Sequence, residues 1–176
     1  METKKFEIVA AQSNIDWVGR KVTGAHNGTI NVKNGILTIS DGKLAGGRFT
    51  IDTTSIKILD VTDPDTNAQF AGHLASDDFF SSEKFPEATL IITSIASIDG
   101  VAHINGNLTI KAITEPVSFS ANINIAGEIL KASGKITIDR TKYNMRFRSG
   151  NFFKDLGDTL IYNDFDLDVN ITAKLS

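Results

Sequence analysis

Turn signals recur at short intervals along this chain, at Asn34-Gly35, Asp41-Gly42, Asp99-Gly100, Asn105-Gly106, Ala126-Gly127 and Ser133-Gly134. Between them lie runs rich in isoleucine, valine, threonine and phenylalanine, such as GILTIS, GRFTIDTTSI, ATLIITSIASI, GNLTIKAIT, PVSFSANINI and GKITIDR. Short alternating runs joined by tight turns predict an antiparallel all-β sandwich or barrel. Proline would remove a ladder donor, and Pro64, Pro86 and Pro116 each stand at the edge of a run.

One segment breaks the alternation. In DPDTNAQFAGHLASDDFFSSEKFP, Asp63 can cap a helix with Pro64 in its first position, and Ser76 followed by Asp77 and Asp78 offers a second start. The expectation is two short helices in one long connection, anchored on the sheet by Phe70, Phe79, Phe80 and Phe85, across an open barrel end.

At 176 residues, 41% hydrophobic and 22% charged, the chain can bury one core, and no linker candidate divides it, so residues 1–176 are read as a single domain. A net charge of -3 gives no long-range attraction for phosphate backbones, which argues against nucleic acid as a partner. The absence of cysteine removes disulfides, thiolate metal sites and thiol nucleophiles. No stretch is apolar for long enough to predict a membrane span or a secretory h-region. The expected location is periplasmic or secreted if a signal peptide preceded Met1, and cytoplasmic otherwise.

The stretch DFDLDVNIT resembles the start of a calcium loop, with carboxylates at Asp164, Asp166 and Asp168. Such a loop needs glycine at its sixth position and a bidentate glutamate at its twelfth, where this chain has Val169 and Leu175. The intervening Phe165, Leu167, Val169 and Ile171 form a period-two apolar row, so the stretch is predicted to be a strand. Its expected partner is the basic row Arg140, Lys142, Asn144, Arg146 and Arg148, read as the outer face of a strand, with Arg146 opposite Asp164, Asn144 opposite Asp166 and Lys142 opposite Asp168. On the inner face, Met145 would then meet Phe165 and Tyr143 would meet Leu167.

His26, His73 and His103 fit no metal-ligand spacing, no G-x-S-x-G elbow is present, and the glycines of KLAGGRF match no phosphate-binding loop. No catalytic residue, metal or cofactor is expected.

Four stretches, VTGAHNGTI, HLASDDFFSSEKFPEATLIIT, INGNLTIKAITEPVSF and KITIDRTKYNMRF, together resemble the YceI-like family, the lipocalin-like polyisoprenoid-binding proteins of bacteria. The most specific block is His73-Leu74 with Ser76, Asp78, Phe79, Phe80, Lys84, Phe85 and Pro86, followed by Gly106, Leu108, Thr109, Ile110, Thr114 and Pro116. Phe70 and Ala71 stand where many members carry an Arg-Asp pair, and VGRKVTG lacks a histidine common there. The resemblance implies an eight-stranded antiparallel barrel, lipocalin-like, with an apolar interior that takes up an extended lipid tail, and many members are exported to the periplasm.

A barrel of eight strands is wide enough either to fill with side chains or to hold one small ligand. The residues expected to line it are Trp17, Phe49, Phe119, Met145, Phe147, Phe165 and Leu167, with Phe79 and Phe80 contributed by the connection. The function expected is carriage or storage of a hydrophobic tail, of isoprenoid, isoprenoid-quinone or fatty-acid type, by a protein that is not an enzyme. Two alternatives stay open. An enzyme acting on a lipid would bring two histidines close to a carboxylate or serine inside the cavity, and an interaction module would show an exposed apolar patch or an open sheet edge. A homodimer is compatible with either.

Overall fold

The computed structural model describes residues 3–22, 24–145 and 161–176. The strands, in chain order, are β1 (Thr3–Ile8), β2 (Asn14–Lys21), β3 (Gly24–Ser40), β4 (Lys43–Ile58), β5 (Glu87–Ile98), β6 (Val101–Ile110), β7 (Ile113–Ala126), β8 (Ile129–Asp139) and β9 (Ile161–Leu175), and helix α1 (Pro64–Ala75) lies between β4 and β5. Every pairing is antiparallel, and β3 pairs with β4 to close the sheet. β1 and β2 both sit between β3 and β9: Phe6 pairs with Leu37 and Leu175, and Ile15 pairs with Ile30 and Val169. They are two halves of one stave, interrupted by a 3-10 turn at Ala10–Gln12. The nine strands therefore make the expected eight-stranded, up-and-down, lipocalin-like barrel.

The two ends of the barrel differ. One is closed by tight hairpins, at Asp41-Gly42 and Asp99-Gly100, where both central residues have positive φ, and at Gly127. The other carries the two long connections, from β4 to β5 through α1 and from β8 to β9. The inward residues form two clusters: one around Phe6, Leu37 and Leu130 at the hairpin end, the other around Phe79, Ile138, Tyr143 and Met145 below α1.

Three of the six turn signals are not turns. Gly35, Gly106 and Gly134 lie inside β3, β6 and β8. A Cβ on them would stand 2.7 Å from the Arg48 carbonyl oxygen, 2.8 Å from that of Ile91 and 2.7 Å from that of Ser120. There glycine permits close approach of neighbouring strands. Conversely, β6 and β7 turn at Lys111-Ala112, with φ of 54° and 63°, in residues that give no turn signal.

The connection contains one helix where two were expected. Asp63 caps α1 by accepting the Thr66 amide at 2.9 Å, with Pro64 in the first turn. Ser76 ends α1: its hydroxyl donates to the His73 carbonyl oxygen at 2.5 Å. The following turns are tied to β4, where Thr53 donates to the Phe85 carbonyl at 2.7 Å and accepts at its own carbonyl from Ser82 at 2.9 Å.

The expected register of the acidic strand is overturned. DFDLDVNIT does lie in β9, but β8 stops at Asp139, and Arg140–Tyr143 form a 3-10 turn. The partners of Asp168, Asp166 and Asp164 are Lys135, Thr137 and Asp139, and Ile136 and Ile138 face Leu167 and Phe165. Lys135 thus stands where Lys142 was expected. GKITID offers the same alternation as the later basic row, and the Asp139 carboxylate ends the strand by accepting the Thr141 amide at 3.0 Å. Arg140 is not on an outer face but only 3% exposed. Arg146 and Arg148 lie outside the described residues.

Candidate ligand-binding cavity

Below α1 the barrel is hollow. A cavity of about 600 Å³ opens at the helix end, and its walls come from β2, β3, β4, β5, β6 and β9, with α1, Phe79, Phe80, Arg140 and Met145 completing it. Its volume lies within the range of small-molecule sites. A second, apolar space of about 80 Å³ continues toward the hairpin end. Ile15, Ile51, Leu108 and Leu167 border both spaces. Inward residues of this midsection, including Phe49, Ile51, Phe119 and Leu167, are only half-buried although they point inside, because the space they face is open.

Of the residues singled out in the sequence, Trp17, Phe79, Phe80, Met145, Phe165 and Leu167 line the larger cavity. Phe49 and Phe119 line the smaller space, and Phe147 lies outside the described residues. Trp17 is held on two sides. Its indole nitrogen donates to the Thr29 carbonyl at 3.2 Å, and its ring lies over Gly28, where a Cβ would come within 2.6 Å of it. Phe80 meets Phe165 edge to face, with centroids 6.3 Å apart, which ties the connection to β9.

Sequence reasoning missed the polar groups of the mouth. Arg140 is buried at the cavity roof, donating from Nε to the Tyr162 carbonyl at 3.0 Å, from Nη1 to that of Met145 at 2.6 Å and from Nη2 to that of Ile161 at 3.0 Å. Its guanidinium lies 5.7 Å from the centre of the Phe79 ring. Burial lowers its pKa and the charge of Asp139 opposes that shift. The Asp-x-Thr turn at 139–141 was the one signal that could have moved Arg140 off the expected strand.

Two histidines line the cavity beside carboxylates. His26 Nδ1 lies 2.8 Å from Asp60 and its ring meets the Phe70 edge at 4.8 Å, and His73 Nε2 lies 3.0 Å from Asp78 with its ring 5.1 Å from Phe79. Partial burial works against ionisation of Asp60, but the Asn27 amide and His26 outweigh it and hold the carboxyl below its ordinary pKa. At the rim Arg20 pairs with Asp166 at 2.6 Å. This contact, aided by Thr137 and opposed by partial burial, likewise lowers the Asp166 pKa. The third histidine, His103, meets Ser120 at 3.0 Å on the outer surface. Lys21 and Gln69 also reach the mouth. The arrangement is an apolar shaft with a polar rim, suited to a molecule with a long tail and a polar end.

A model of the YceI-like domain family matches residues 6–173. Among curated proteins, the chain is 33% identical over 99 residues to Protein YceI of Escherichia coli O157:H7, covering 54% of this chain and 48% of that one. To a UPF0312 protein of Pseudomonas putida strain W619 it is 28% identical over 103 residues, covering 58% and 51%. The chain spans about half the length of the curated relatives it matches. Among solved structures, Burkholderia cenocepacia BcnA superposes with a TM-score of 0.73 at 22% identity, over 95% of this chain and 99% of that one. A polyisoprenoid binding domain from Saccharophagus degradans, described as implicated in plant cell wall breakdown, superposes with a TM-score of 0.70 at 13% identity, over 97% and 98%. At such identities the likeness is one of fold.

Proposed function

The chain belongs to the YceI-like family, and on that premise we propose that its barrel binds one molecule by a long hydrophobic tail, of isoprenoid, isoprenoid-quinone or fatty-acid type, and carries or stores it. The observation that supports this most is the open shaft itself, with large apolar side chains pointing inward yet left half-buried. Covering them with a tail removes apolar surface from water on both partners. A tail burying about 400 Å² would gain on the order of 10 kcal/mol before ordering costs are subtracted, without any charged group. The name of the Saccharophagus domain points to the same ligand class.

The rim supplies what a polar end would need. Lys21, Gln69 and His26 stand where a headgroup would emerge, while α1, which packs chiefly on β4, covers the tail. Native mass spectrometry of the purified protein, followed by organic extraction, tests the reading. The expected spectrum holds a one-to-one complex whose extract is a lipid with an extended apolar tail. A protein that neither carries nor takes up any such molecule overturns it.

One observation favours a second reading. Two histidines do stand beside carboxylates at the cavity, as an enzyme acting on a lipid would require, with His26 or His73 as a general base. Ser76, however, donates its hydroxyl to a backbone carbonyl. If His26→Gln and His73→Gln proteins turn over no lipid ester that the unmodified protein hydrolyses, the enzyme reading gains. If the unmodified protein hydrolyses none, it falls. The interaction-module alternative has lost its sheet edge, since the described strands close on themselves.

A further inference from the structure

The shaft does not run the length of the barrel. It narrows at a waist of four aliphatic side chains, Ile15 from β2, Ile51 from β4, Leu108 from β6 and Leu167 from β9, which border the wide space above and the narrow one below. Beyond the waist stand two phenyl rings. Phe49 is the next inward residue after Ile51 toward the hairpin end of β4, and Phe119 pairs with Ile104 across β6, deeper than Leu108, which pairs with Glu115. Both rings pack against the two halves of the core. About 80 Å³ is left free around them, against about 600 Å³ above.

Neither ring is sealed into the core as Leu37 and Leu130 are, at 2% and 0% exposure. Phe49 and Phe119 are half-buried and face open space. They occupy the path that a longer tail would follow, in a region where the described residues expose no polar surface to the free space. Phe49 lies against Gly35 of β3, its ring edge 3.1 Å from where a Cβ on that glycine would stand.

From this geometry we infer that Phe49 and Phe119 are the stop that sets the length of tail the barrel accepts. Below the waist only about 80 Å³ is free, and the two rings take up the path along which a longer tail would extend. This inference rests on the tail-binding reading and adds to it the residues that decide tail length. The ligand class that follows is a linear apolar tail of bounded length, ending in an unsubstituted terminus, since a polar terminus would be left without a partner below the waist.

The test is a competition. The protein is offered equimolar mixtures of two homologous series, linear prenols and saturated fatty alcohols, and native mass spectrometry reads which chain length occupies it. In Phe119→Ala and in the Phe49→Ala/Phe119→Ala double variant the favoured length increases by at least one isoprene unit or its alkyl equivalent. The longer compound then gains on the order of tenfold in relative occupancy, because the space vacated by a phenyl ring accepts several further carbons. Leu167→Phe, which narrows the waist without emptying the core, shifts the preference to shorter compounds, and far-UV circular dichroism checks that each variant retains its sheet. Unchanged length preference in both phenylalanine variants overturns the stop while leaving tail binding intact. Failure of the unmodified protein to bind either series overturns both.

Discussion

At Gly28 the sequence shows an ordinary glycine after Asn27, yet the position decides how the cavity wall is built. A Cβ there would collide with the Lys57 carbonyl oxygen and stand 2.6 Å from the Trp17 ring. Gly28→Ala therefore forces the indole and β4 apart, and denaturant titration should show a loss of about 1 to 3 kcal/mol typical of overpacking. Because Trp17 is the only tryptophan, its emission reports the displacement directly. An alanine variant of unchanged stability and spectrum would mean that the ring does not rest on this glycine. Trp17 could be assigned to the barrel interior from its alternation in NIDWVGRK, but its platform could not, since glycine makes no pattern of its own. Arg140 was hidden for the opposite reason. It sits in a row of cations that reads as a solvated face, and only its three carbonyl partners, the nearby Met145 and the more distant Ile161 and Tyr162, explain how a buried guanidinium is satisfied.

Elements were legible where local chemistry agrees with the fold. Asp63-Pro64 gives the start of α1, and Asp41-Gly42 and Asp99-Gly100 give hairpins, because each works through backbone geometry within a few residues. Gly35, Gly106 and Gly134 misled because the need they meet, close approach to a neighbouring strand, is set by residues far along the chain. The β8–β9 register misled because alternation changes phase at Asp139-Arg140, and the two stretches on either side of that break each offered polar partners at alternate positions. Lys111-Ala112 gave no signal because both residues hold positive φ against their own preference. Lys111 compensates by donating from Nζ to the Asp77 carbonyl at 2.7 Å and the Asn144 carbonyl at 3.2 Å, joining the two connections at the mouth. Ala112 makes no such contact among the described residues. Ala112→Gly should thus raise stability by roughly 0.5 to 1 kcal/mol in thermal unfolding, the relief of left-handed strain exceeding the added chain entropy. A lower melting temperature would contradict that assignment of strain.

Over the whole molecule, closure and filling are separate properties, and only closure was legible. A sandwich or barrel followed from turn spacing and eight staves from the family likeness, but whether such a barrel is full or hollow depends on how side chains from all its strands share one volume. The chain resolves this unevenly: Phe6, Leu37 and Leu130 pack the hairpin end, while the half beneath α1 stays open. Stability is thereby concentrated at one end and the capacity to bind at the other, where the two long connections meet. The measurement that bears most directly on this division is a crystal structure of the protein with a linear prenol bound. The account predicts continuous tail density running from the polar rim past Trp17 to the waist at Leu167 and ending against Phe49 and Phe119. A prenol lying on the outer surface, or side chains collapsed to fill the space beneath α1, would contradict it.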